Sequence, residues 1–471
     1  MPVYEAAETA HDFTLRFRSI EGSTMRDRLP LLQRLDQCID RIETYNDVLH
    51  AMITTLPEAA RAEAAARQAR PGQGALAGVI LSVKDNIDTA GIRTTRGSRW
   101  FADRIPNHDA TVVQRLRRSG AIVIGKDNLH EFAFGATSQN PHHGACRNPW
   151  NIEAVPGGSS GGAGVSVAAG FSEVALGTDT GGSVRIPAAL NGVSGLRPTI
   201  GRVSNVGTMP VSAAFDTIGP LAQRLRDVAT VYEAIAGYDA RDPLSVDRPV
   251  ESWASLHANG LDGLRIGMPW DLVEAEATAE VVALIRAAMT VLADLGAEGR
   301  DIRITNSEDA HVAMQTCAQA DAAAVHRDRL DQDAAIFGAD VERRLRLGRA
   351  ITGTAYAAAI GQQAAWKQQM RAVFAGVDLI ALPTVGFTAP LVSDAPDMIA
   401  ATHRLTRLCT PWSFAGLPAI SVPCGFVDGM PVGLQLVGPK WSEARLLATG
   451  IAFQEVTDHH GRIPTFLADR A

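Results

Sequence analysis

The chain has 471 residues, with 44 Lys and Arg against 51 Asp and Glu for a formal charge of −7. That balance is too mildly acidic for a nucleic-acid sleeve or a membrane-surface coat, so neither nucleic acid nor a membrane is expected as a partner. With 46% apolar and 20% charged residues, the composition is that of a packed globular protein and excludes the disordered and fibrous classes.

The first residues, MPVYEAAETAHDF, carry two Glu and no basic region ahead of an apolar run, which argues against a secretory signal and for the cytoplasm. Leu32, Leu35, Ile39 and Ile42 recur in steps of three and four and predict an amphipathic helix. LPEAARAEAAARQAR, with Pro57 near its start, predicts a second. Residues 1–74 thus read as a helical lead-in packed on a core of residues 75–471, the whole forming one compact domain. Next come a strand in AGVILSV (77–83), a helix in DATVVQRLRRSG capped by Asp109, and a strand in AIVIG (121–125). A glycine-rich stretch follows, then EVALGTD (173–179); further strands are expected in LRIGM, DLIALPT and AISVPC, the last closing as a hairpin into VGLQLVG, with long Ala-rich helices between about 277 and 375. Strands alternating with helices define an α/β class. The longest apolar stretch, 163–177, is interrupted by Glu173 and falls short of the roughly 20 residues that span a bilayer.

Five cysteines without a C-x-x-C pair suggest neither a disulfide framework nor a zinc knuckle, and a reducing compartment fits. Only Lys84, Lys126, Lys367 and Lys440 among the 44 basic residues are lysines, so each merits separate attention. No metal spacing or dinucleotide fingerprint is present, and no cofactor is expected.

Thirteen of the 43 glycines lie between Gly157 and Gly207, where two serine segments occur, PGGSSGG (156–162) and GTDTGGSVR (177–185). Gly158 to Gly162 formally matches G-x-S-x-G, but the preceding NIEAVP is short, polar and closed by proline, unlike the buried strand a nucleophile elbow requires. The second segment follows a strand and could present Ser183 to a cleft, with the small-residue backbone N–H groups of Thr180, Gly181, Gly182 and Ser183 converging on one oxygen. A serine nucleophile needs a base. His108, His130, His142 and His143 have no context tying them to either serine. Lys84 ends the apolar run Gly78 to Val83, and burial there would leave a neutral amine; the structural alternative is an ion pair with Asp85. Lys126, lacking the surroundings of a phosphate loop, reads as a strand-end residue.

SVKDNI (82–87), GKDNLHEFAFG, RNPWN, PGGSSGGAG, ALGTDTGGSVRIPA and GLRPTIGR, with a weaker echo in FAGLPAISVPCG and PVGLQLVG, together resemble the amidase signature enzymes from about residue 75 onward. The resemblance implies a large mixed central β-sheet flanked by many helices. It also implies a Ser–Ser–Lys triad of Ser183 as nucleophile, Ser159 as bridging serine after a cis Gly158–Ser159 bond, and Lys84 as base. Asp179 and Arg185 flank the nucleophile and are expected to pair with each other and brace its loop. Cys317, Trp412 and Phe414 come from regions that build the acyl pocket in the family, although core packing accounts for them equally well. The implied chemistry is acyl transfer from an amide or carbamate through an acyl-enzyme; a homodimer is compatible with it.

The main fork lies between a stand-alone hydrolase and the glutaminase subunit of a tRNA-dependent amidotransferase. Glutamine recognition in that subunit uses an Asp shortly before the segment matching Cys409 to Trp412, where this chain has Thr406 between Arg404 and Arg407. Lys367 aligns roughly with an Arg of that subunit. The stand-alone hydrolase is the reading preferred on these residues.

Overall fold

The computed structural model describes residues 29–68, 74–258, 260–394 and 397–468. Strands β1 (Met52–Thr55), β2 (Ile80–Lys84), β3 (Ile122–Asp127), β4 (Val174–Asp179), β5 (Ser194–Arg197), β6 (Thr217–Ala222), β7 (Arg265–Met268), β8 (Glu298–Asp301), β9 (Leu379–Pro383), β10 (Ala419–Val427) and β11 (Met430–Val437) form one 11-stranded sheet. Its order is β1-β3-β2-β4-β6-β5-β10-β11-β9-β7-β8. The β3-β2-β4 and β9-β7-β8 neighbours are parallel and the remaining pairs antiparallel, giving the large mixed sheet expected.

Helix α1 (Leu31–Leu49) buries Leu35, Cys38, Ile39, Ile42, Tyr45 and Leu49, the face its spacing predicts. α2 (Pro57–Gln68) begins at the predicted proline. Between them lies β1, which the sequence reading passed over. β1 pairs antiparallel with β3, so the N-terminal segment supplies an edge of the main sheet as well as helices. α3 (Thr111–Arg118) starts two residues after Asp109 and has no side-chain cap. Asp109 Oδ1 instead accepts the Ala90 N–H at 2.7 Å, so its carboxylate ties down a loop and does not close the helix end.

Every residue of β2, β3 and β4 is buried. Along β2, Leu81 and Val83 join the largest apolar cluster, which includes Val112, Val113 and Leu116 of α3, whereas Ile80 faces the cluster built with α1. This period-two alternation puts Ser82 and Lys84 on the Ile80 side. Ser82 is satisfied there by Ser172, Oγ to Oγ 2.9 Å. Lys84 is thus held at a strand end in the interior, where an unpartnered polar group costs about 1–3 kcal/mol.

Candidate active site

Lys84 Nζ lies 2.7 Å from Ser159 Oγ, 2.9 Å from Ser160 Oγ and 2.8 Å from Thr178 Oγ1. The ion pair with Asp85 considered from sequence is not formed. Asp85 instead accepts from the Thr95 N–H and hydroxyl and sits 3.7 Å from Lys126. With hydroxyls as its partners, Lys84 is pulled down to about 7 by burial, against the weaker opposing fields of Asp179 and Asp216. An amine of this kind has two N–H donors and one lone pair. The Ser160 hydroxyl donates to the Thr178 carbonyl at 3.1 Å and so receives an N–H from Lys84. Thr178 Oγ1 receives an Asn86 amide at 3.2 Å and the second lysine N–H. The lone pair then faces the Ser159 hydroxyl, the geometry a base needs.

Ser159 and Ser160 precede α4 (Gly161–Ala168), and the Gly158–Ser159 peptide is cis, as the resemblance implies. The Ser159 carbonyl accepts the His130 N–H at 3.1 Å. Ser160 N–H donates to the Ser183 carbonyl at 3.3 Å, which ties the two serine segments together. The glycines between them serve close approach. A Cβ on Gly162 would stand 2.4 Å from the carbonyl oxygens of Ala51 and Asn128. Gly182 has φ +127°, and a Cβ there would meet Cys409 at 2.7 Å.

Asp179 and Arg185 pair as expected, at 3.0 Å from both Nε and Nη2 of the arginine. A second arginine, missed from sequence although it lies in GLRPTIGR, joins them: Arg197 Nη1 is 2.9 Å from Asp179 Oδ1. Burial alone would raise the Asp179 carboxyl, but Arg185 and Arg197 overcome this and hold it well below the usual carboxylate range. Asp179 also takes the Gly182 N–H at 2.8 Å. This corrects the expected set of oxyanion donors. The Gly182 N–H is spent on the brace, leaving the N–H groups of Thr180, Gly181 and Ser183. The Thr180 hydroxyl is anchored in turn at 2.5 Å by Asp216, another residue the sequence reading missed.

Thr180, Gly181 and Ser183 open onto a narrow cavity of about 50 Å³ walled by Phe134, Ala136, Val211, Met314 and Ala318. Cys317, Trp412 and Phe414 do not reach it. All three are fully buried in the apolar cluster behind the wall; Cys317 and Trp412 stand one and two positions from cavity residues Ala318 and Thr410, so the helix turn aims their side chains away, and Phe414 packs against Phe215. None of the histidines weighed from sequence lines the cavity: His130 bonds Asp340, His142 bonds Glu131, His143 contacts Thr95, and His108 is exposed. Thr406 does line it, beside Gln315, whose amide donates to the threonine hydroxyl at 3.1 Å. Lys367, read from sequence as standing where the glutaminase subunit has Arg, lines a different cavity and not this one. The cationic side chain at the cleft is Arg344. It is held by the Thr402 hydroxyl at 2.7 Å and the Met398 carbonyl at 2.8 Å, with Nε 3.8 Å from Asp340 and without a hydrogen-bond partner. Its sequence signal, one arginine in DVERRLRLGR, is indistinguishable from a solvated helix face. Among the described residues no cluster of His, Cys, Asp and Glu is arranged to hold a metal, and no helix is long and apolar enough to cross a membrane.

The turn before α4 brings Ser159 and Ser160 to the buried Lys84 at the end of β2, and the family and structural comparisons make this chain an amidohydrolase acting on carbon–nitrogen bonds. The chain belongs to the Amidase family, whose sequence model matches residues 33–447. A glutamyl-tRNA(Gln) amidotransferase subunit of Roseiflexus sp. (strain RS-1) is 40% identical to it over 485 residues, covering 96% of this chain and 98% of its own. A solved chain from a vestigial protein complex, described as revealing the evolutionary origins of an s-triazine catabolic enzyme, matches with a TM-score of 0.85 at 31% identity, covering 91% of this chain and 96% of its own. A 6-aminohexanoate cyclic dimer hydrolase solved with its substrate matches with a TM-score of 0.83 at 27% identity, covering 97% and 98%.

Proposed function

We propose that the chain hydrolyses an amide by acyl transfer to Ser183, with Lys84 as base and Ser159 as the relay between them. The observation that carries this is the hydroxyl-only surroundings of Lys84, in which both N–H groups are committed and the lone pair is left to Ser159. The amine takes the Ser159 proton as Ser159 takes that of Ser183. Ser183 Oγ then attacks the carbonyl carbon, and the N–H groups of Thr180, Gly181 and Ser183 receive the oxyanion. The proton held on Lys84 returns through Ser159 to the departing nitrogen. Water repeats the sequence on the ester and frees the acid.

The cleft supports a refinement of the substrate. Arg344 offers a cation, while Thr406 and Gln315 offer only neutral groups, so the cleft suits an acyl group bearing a carboxylate and provides no carboxylate for an ammonium. On this reading the chain acts without a partner on the monoamide of a dicarboxylic acid. The second reading is the glutaminase subunit of an amidotransferase, favoured by the name of its 40%-identical relative and by the same arginine, which suits the glutamine carboxylate equally well.

The purified chain assayed with succinic acid monoamide, glutamine, butyramide, benzamide and a methyl carbamate separates these readings. Turnover of the anionic monoamide, with Arg344→Gln raising KM about tenfold or more and leaving kcat nearly unchanged, is expected. Glutamine hydrolysis appearing only with partner subunits, ATP and charged tRNA would establish the second reading instead. An active-site serine probe that still labels Ser183→Ala would refute the nucleophile.

A further inference from the structure

Three of the four lysines take no part in this chemistry; Lys126 is held by the Ile87 carbonyl and the Thr89 and Thr94 hydroxyls, and the other two stand together. Lys367 and Lys440 meet Arg371 at a second cavity of about 410 Å³, floored by Met370, Phe374, Ala415 and Leu417. Helix Gly353–Gly376 supplies Lys367, Met370, Arg371 and Phe374, spaced 0, 3, 4 and 7 and therefore on one face. Lys440 reaches the same place from beyond β11, its Cε 3.6 Å from where a Cβ on Gly416 would stand. The cavity is distinct from the catalytic cleft, with which it shares no lining residue. The short helix Thr410–Ala415 separates the two, Thr410 facing the cleft and Ala415 the second cavity.

Its charge is one-sided. No Asp or Glu lines the cavity, and among the described residues none of the three cations has an ion-pair or hydrogen-bond partner. Lys367 is half-buried and Arg371 and Lys440 are exposed, whereas other half-buried cations, such as Arg265 with Asp378 and Arg407 with Glu276 and Glu308, are held by carboxylates. Both lysines are lowered, by burial first and then by the neighbouring cations. Three like charges gathered around an apolar floor repel one another unless an anion joins them. The volume lies in the range of small-molecule sites.

We propose that this cavity binds a small amphiphilic organic anion, its carboxylate or phosphate head among Lys367, Arg371 and Lys440 and its apolar arm on Met370, Phe374 and Leu417. The test is isothermal titration of the full chain with octanoate and with octyl phosphate, which distinguishes the two head groups. Acetate and inorganic phosphate serve as heads without arms, octanamide as an arm without charge, and a poly-glutamate peptide as a polymeric anion. One of the two amphiphiles is expected to bind at one site at least about tenfold more tightly than any control, weakening about tenfold or more in K367Q/K440Q while amide turnover by that variant is unchanged. Because octanoate could also occupy the catalytic cleft, the titration is repeated in Arg344→Gln, where the signal should persist. Failure of both amphiphiles to bind at millimolar concentration overturns the proposal. So does binding indifferent to K367Q/K440Q, equal affinity for octanamide, or capture of the peptide alone.

Discussion

Lys84 and Lys126 stand at the ends of adjacent parallel strands, both fully buried, yet they face different company. Lys84 meets three hydroxyls, while Lys126 Nζ meets the Ile87 carbonyl at 2.5 Å, the hydroxyls of Thr89 and Thr94, and Asp85 at 3.7 Å. Burial lowers both, Lys84 to about 7 and Lys126 to about 8, where Asp85, Asp88 and Asp127 oppose the fall. A shift in register separates them. Leu81 pairs with Val123 but Ser82 pairs with Gly125, so the extra residue moves Lys126 into register with Val83. Without it the two lysines would share one face of the sheet. With it, one amine turns toward the serines and the other braces the loop after β2. Burial alone therefore does not make a lysine a base; partners that leave a lone pair free do.

Substitutions at the two lysines can break this contrast. Lys84→Ala is expected to lower kcat about 10³-fold with an unchanged circular dichroism spectrum, whereas Lys126→Met should lower it less than about tenfold. Near-normal turnover by Lys84→Ala would remove the basis of the comparison. The pH profile sharpens it. A base must be neutral to act, so kcat/KM should fall about tenfold per unit as pH drops below the Lys84 value of about 7. That limb should survive in Lys126→Met. A flat profile between pH 5 and 7 would contradict the assignment.

Stability should divide the other way. Removing Lys126 strands Asp85 in the interior, and urea denaturation of Lys126→Met is expected to show a loss of about 3 kcal/mol. Linkage gives a second readout. The folded Lys84 value of about 7 lies below the ordinary 10.5, so between these pH values the unfolded chain binds more protons and stability rises with pH. Lys84→Met should flatten that rise. A smaller effect than that of Lys84→Ala is expected for Thr178→Val, which removes one acceptor of the Lys84 ammonium: a fall of about tenfold in kcat, with the acid limb of the profile moved to lower pH. A limb moved upward would mean that Thr178 does not stabilise the charged form.

Apolar periodicity and glycine-bounded turns are local, so the α/β class, most strands, the α1 face and the motifs carrying Lys84, Ser159 and Ser183 were legible in the residues alone. The pairing of Asp179 with Arg185 was equally legible, since the two are six positions apart on one loop. How that local text is used depends on the assembled fold. The extra residue in β3 sets which lysine faces the serines, the Gly182 N–H goes to Asp179, and Arg344 reaches the cleft from a helix more than 150 residues beyond Ser183. Cys317 and Trp412 show the same limit, for a step or two along a helix from cavity residues Ala318 and Thr410 turns a side chain by about 100° or more and exchanges wall for core. Register, donor competition and helix rotation depend on what packs opposite, and no window of sequence contains its own neighbours.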